Sequence, residues 1–86
     1  ADGSQDIAGQ TRQVLAQIDA LLARAGTDKS KILMCQIFIK DLADFPALNG
    51  VWEQWVAPGN APPRATVKAD LAKPEWRVEM VVTAAL

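Results

Sequence analysis

Histidine is absent from these 86 residues, and cysteine occurs once, at Cys35. Without an imidazole, the Ser-His-Asp, Cys-His and His-metal chemistries are all excluded. A single thiol closes no intramolecular disulfide and builds no thiolate metal site, so zinc and structural disulfides are not expected. The glycines at 3, 9, 26, 50 and 59 never fall into the G-x-G-x-x-G or P-loop spacing, which removes the phosphate-cradling loops. No apolar run approaches the length of a bilayer span, and the opening Ala1-Asp2-Gly3-Ser4-Gln5-Asp6 is polar and acidic, unlike a signal peptide. A soluble, reducing, cytoplasmic setting is the expectation. Charge bias is missing too: nine basic and ten acidic residues give a net charge of -1, with no positive field to collect nucleic acid or anionic lipid. No nucleic-acid or membrane partner is expected.

What is present suits one globular domain spanning residues 1–86, half of it apolar. A domain this short buries proportionally little of its surface, so self-association is a reasonable expectation. From Asp6 onward, Ile7, Thr11, Val14, Ile18, Leu21 and Ala25 recur at four- and three-residue intervals, which predicts an amphipathic helix. Ser4 or Asp6 is placed to cap it, and Gly26 supplies the left-handed residue that commonly ends a helix. Residues 31–40 are apolar on both alternating faces and predict a strand covered on both sides, by a helix and by something else, such as another subunit. Asp44 is placed to cap a second helix that admits Pro46 in its first turn, carries Phe45, Leu48, Trp52, Trp55 and Val56 as its apolar stripe, and ends near Val56. Asn49 lies beside that stripe.

Residues 57–63, rich in proline, predict an exposed loop. Two strands, 64–71 and 76–85, then follow with a short connection, which predicts an antiparallel hairpin. The order is helix, strand, helix, strand, strand. The fold class is therefore α+β, with two helices on one face of a mostly antiparallel sheet.

Chemistry is left to arginine, carboxylates, hydroxyls and backbone amides. Arg64 opens a strand directly after the proline-rich loop, where its planar fork suits a carboxylate held by two parallel hydrogen bonds; it is equally a residue type found on any loop-strand surface. Glu79 sits between Val78 and Met80, where apolar neighbours can raise a carboxylate's pKa and let it position water. In the hairpin register Glu79 falls opposite Lys68, so a plain cross-strand ion pair is the competing reading. Thr66 offers a hydroxyl or backbone amide, although threonine is common in strands for its β-propensity. Cys35, in an apolar strand without a neighbouring base or cation, reads as an inert core thiol. The three tryptophans at 52, 55 and 76 are of a type that lines ligand pockets, but two lie near the helical stripe and one begins a strand, so they read as core or subunit packing.

These residues also carry a resemblance. Asp44-Phe45-Pro46-Ala47-Leu48-Asn49-Gly50-Val51-Trp52, then Pro63-Arg64-Ala65-Thr66-Val67, then Pro74 and Val78-Glu79-Met80, resemble the successive signatures of the RidA/YjgF family. The match is closest to its YoaB-like branch. The resemblance implies a chorismate-mutase-like fold, a homotrimer with clefts between subunits, and hydrolysis of reactive imines and enamines to 2-oxo acids and ammonia. It implies no metal and no organic cofactor. On that reading Arg64 binds the carboxylate of an imine substrate, Glu79 orients the attacking water, and Thr66 and Asn49 contribute to substrate binding. An iminium carbon is already electrophilic, so fixing the substrate and delivering water is sufficient machinery. Two departures stand out: Thr66 occupies a position where the family often has cysteine, and the family's strand hairpin before the first helix is not in this sequence. The expectation is that an N-terminal piece is missing or that a neighbouring chain supplies those strands. The alternative function is a non-catalytic trimeric module that binds small carboxylates through Arg64.

Overall fold

Strand β1, Ile32–Ile39, organises the chain because it pairs on both of its edges. A computed structural model describes residues 6–56 and 61–85, and its element order is α1 (Ile7–Arg24), β1, α2 (Phe45–Trp55), β2 (Arg64–Lys68) and β3 (Val78–Ala84), with short 3-10 turns at Lys29–Lys31 and Leu42–Asp44. The sheet order is β2-β1-β3. The α+β class, with two helices against one face of the sheet, is as the sequence indicates.

The pairing is not. β1 runs parallel to β2 and antiparallel to β3, so the sheet is mixed and the expected hairpin of the last two strands does not form. The physical reason lies in strand length. β2 stops at Lys68 and β3 starts only at Val78, leaving residues 69–77 to pass from one side of β1 to the other. Parallel neighbours need a crossover connection, and α2 supplies it between β1 and β2. Glu79 consequently pairs with Phe38, while Lys68 pairs with Ile39; they are not opposite each other.

The strand-to-strand passage is fixed by α1. Gln10, fully buried, donates through Nε2 to the Glu75 carbonyl at 3.1 Å and accepts at Oε1 from the Arg77 amide at 2.8 Å. Two partly buried backbone groups of an irregular segment are thereby satisfied within the protein. Lys40 adds a hydrogen bond from Nζ to the Pro74 carbonyl.

Both helices start and stop for local reasons. Asp6, the N-cap of α1, accepts from the Gly9 amide at 2.8 Å, and Gly26 ends the helix region with a φ of 81°. Ser4 lies outside the described residues. Asp44 precedes α2 but makes no capping bond with its side chain; it faces Arg77 at 3.9 Å instead, and Asp41 caps the preceding 3-10 turn. Residues 57–60 of the proline-rich segment likewise lie outside the described residues.

The core sits between the helices and one sheet face. Cys35, Ile37 and Ile39 point into it with no exposed surface, meeting Leu15, Ile18, Leu48 and Trp52. Burying side chains of this kind contributes about 1.5–3 kcal/mol each. Among the described residues nothing covers the opposite face: Met34, Val67 (48 % exposed) and Val81 (51 %) lie open, with Phe38 half-buried between them. The second cover that β1's composition calls for is therefore not supplied by the described residues.

Candidate functional site

Arg64 is positioned by the parallel ladder. The Cys35 amide donates to the Pro63 carbonyl at 2.9 Å, so the chain leaving the proline-rich segment is locked to β1 immediately before Arg64, whose register partner is Cys35. Ladder partners share a face of the sheet, and Cys35 faces the helices, so Arg64 does as well.

There α2 receives it. Phe45, Asn49 and Trp52 occupy positions i, i+4 and i+7 of the helix, one continuous stripe. The Arg64 guanidinium carbon lies 5.5 Å from the Phe45 ring centre and 5.2 Å from that of Trp52, within the range of cation-π attraction. Nη2 donates to Asn49 Oδ1. Asn49 in turn donates from Nδ2 to Glu53 Oε1 at 3.1 Å, which leaves its carbonyl oxygen for the arginine. Nη1 is enclosed and has no hydrogen-bond partner among the described residues, so the guanidinium keeps donor capacity beyond its bond to Asn49.

The other residues singled out from the sequence fall as follows. Thr66 shares the face of Arg64, half-buried, opposite Ile37. Glu79 is exposed, opposite Phe38, and its side chain has no hydrogen bond or ion pair among the described residues. Cys35 and Phe38 are three residues apart on β1, so their partners Arg64 and Glu79 point to opposite sides of the sheet. The structure brings Arg64 and Asn49 together and keeps Glu79 apart from both. Cys35 beneath Arg64 is buried, as its setting in the sequence indicates, although a cation the sequence did not place there lies near it: burial pushes its pKa up to about 11, only partly offset by that guanidinium.

Phe45, Trp52 and Glu53 are the members of this cluster that composition and pattern did not single out. The signal was the polar Asn49 beside a stripe whose aromatics read as packing residues. Two hollows in the surface lie elsewhere. One, of about 220 Å³, runs between α1 and α2 beside Arg12, Asp19 and Trp55; the other, of about 290 Å³, lies between Leu21, Leu22 and β3. Neither is lined by Arg64 or Glu79.

A family model described as Endoribonuclease L-PSP matches residues 2–86. The chain belongs to that family, known also as RidA/YjgF. A "RutC family protein" of Haemophilus ducreyi is 52% identical over 85 residues, covering 99% of this chain and 73% of the relative. "RutC family protein YoaB" of Escherichia coli is 48% identical, covering 90% of the chain and 68% of its own length. A relative from Acinetobacter baylyi named "3-aminoacrylate deaminase RutC" is 37% identical, with coverages of 92% and 62%. Among solved structures, a YjgF-family protein of Neisseria meningitidis superimposes with a TM-score of 0.90 at 52% identity, over 91% of this chain and 66% of that one. The chain thus spans between three fifths and three quarters of the length of these L-PSP relatives.

Proposed function

We propose that this protein hydrolyses reactive 2-imino and enamino acids: an imine R–C(=NH)–COO⁻ takes up one water and yields the 2-oxo acid and ammonia. Arg64 holds the carboxylate and Glu79 positions the water. The observation that carries the reading is the Arg64 guanidinium, fixed on α2 at a strand start with donor capacity to spare. The name of the Acinetobacter relative agrees with this reaction class. Protein hydrogen bonds to an ionised carboxylate are among the stronger ones, so a short acid is adequately fixed by one arginine.

Because Arg64 and Glu79 leave the sheet on opposite faces, a site that uses both takes them from two copies of the chain. The bare apolar face around Val67 and Val81 supports such self-association, and a homotrimer with clefts between subunits is the assembly we propose. Thr66, on the face of Arg64, contributes to the same cleft. The second reading, a trimeric module that binds carboxylates without turnover, is favoured by the separation of Glu79 from Arg64 within one chain.

Arg64→Ala and Glu79→Gln separate the two. For the enzyme, Glu79→Gln lowers ammonia release from 2-iminopropionate by about 10²–10⁴-fold, the usual range for a positioned proton-handling group, and leaves pyruvate binding intact. Arg64→Ala removes both. If neither variant changes ammonia release, the deaminase reading is wrong.

A further inference from the structure

The stripe Phe45-Asn49-Trp52 makes three contacts with a single guanidinium, yet hydrolysis of an imine needs no chemistry from any of the three residues. A free arginine side chain samples many rotamers, and holding a charged group in one geometry before the ligand arrives removes that loss from binding. We propose that this stripe of α2 is a cradle for Arg64, and that Phe45, Asn49 and Trp52 are positioning residues rather than groups that touch substrate. The proposal rests on the reading of Arg64 as the carboxylate anchor.

Three features support it. The two rings offer their faces to the cation at 5.5 and 5.2 Å without offering it a counter-charge, so the guanidinium is restrained but not neutralised. Asn49 accepts from Nη2 with a neutral oxygen for the same effect; a carboxylate in its place would occupy the arginine permanently and compete with an incoming acid. Glu53 takes the Asn49 amide nitrogen at 3.1 Å, which fixes which end of the amide meets Arg64. The negative charge is thus kept one residue removed from the cation. Asn49 uses both ends of its amide on protein partners, which is why we assign it to positioning and not to the substrate.

The test reads Arg64 directly as well as through ligand. In the intact protein with ¹⁵N-labelled arginine, the wild type shows separate, slowly exchanging Nη–H signals for Arg64. In Asn49→Ala these merge, and pyruvate binding weakens by about five- to tenfold at unchanged Tm. Phe45→Leu, at a position 38 % exposed and so tolerant of change, weakens it by about two- to fivefold, the scale of an exposed cation-π contact. Asn49→Asp weakens it further than Asn49→Ala, because the new carboxylate holds the arginine. Should Asn49→Ala and Phe45→Leu bind pyruvate like the wild type with unaltered Arg64 signals while Arg64→Ala binds none, the cradle is refuted and the anchor stands. If Arg64→Ala itself binds normally, the anchor reading fails and takes the cradle with it.

Discussion

Arg64 and Glu79 belong to the same three-stranded sheet but project from opposite faces of it, because their β1 partners, Cys35 and Phe38, lie three residues apart. They are also two strands apart across the sheet, about 9.6 Å, and three residues apart along it, about 10 Å, at normal strand dimensions. A substrate of a few atoms cannot be gripped by one and hydrated by the other of the same chain. Under the proposed reaction, that relationship makes assembly part of the chemistry.

The bare face is expected to be the assembly surface. Val67→Asp or Val81→Asp places a carboxylate among Met34 and Phe38, where burial against another copy costs several kcal/mol. Neither change touches the helix-side core, so the helical circular dichroism signal should persist while the solution mass, read by light scattering, falls to that of one chain. A mass unchanged in both variants would show that assembly uses another surface.

Gln10 should matter far more than a glutamine on a helix ordinarily does. Replacing it with leucine keeps the bulk but strips the Glu75 carbonyl and the Arg77 amide of their partner. A fully buried unsatisfied group costs about 1–3 kcal/mol, and these two are partly buried, so a loss of about 2–4 kcal/mol in unfolding free energy, the lower part of the range for two groups, is expected from chemical denaturation. A loss below about 1 kcal/mol, under the cost of even one orphaned group, would mean that water takes over both bonds.

How much of this was legible in the sequence follows from the range of each interaction. Helix α1 announces itself through a period set by its own neighbours, and Asp6 and Gly26 do at its ends what their types suggest. The strand at 32–39 is equally plain from its apolar run. Strand pairing was not legible. Residues 69–77 carry no periodic pattern to show that they span β1 and not a tight turn, and the contact that fixes them comes from Gln10, more than sixty positions away in sequence. For the site, Arg64 and Asn49 could be marked as separate polar residues at special places. That Phe45 and Trp52 hold the arginine, and that Glu79 faces away, depends on the register of β1 with β2 and β3, which no local pattern encodes.

Cys35 provides a pH-dependent check on the core. Its thiol pKa rises from 9.0 to about 11 on folding, chiefly through burial. At pH values below the unfolded pKa both states hold the proton and nothing is lost. As pH rises from 9 to 11 the unfolded chain releases the proton while the folded chain keeps it, so this group lowers stability across that window. Comparison with Cys35→Ala isolates the effect: the wild type should lose stability more steeply between pH 9 and 11, and its thiol should resist iodoacetamide near neutral pH until denaturant is added. Parallel pH curves for the two proteins would contradict the burial of this thiol.

The most direct test of a shared site is complementation. Arg64→Ala and Glu79→Gln chains are each prepared alone, then unfolded and refolded together in equal amounts, and ammonia release from 2-iminopropionate is measured. If each cleft takes Arg64 from one copy and Glu79 from its neighbour, about a quarter of the clefts in random mixed oligomers regain both groups, and activity returns to roughly that fraction of the wild type. If every cleft draws both residues from one chain, no mixture recovers activity at any ratio, and a site shared between copies is ruled out.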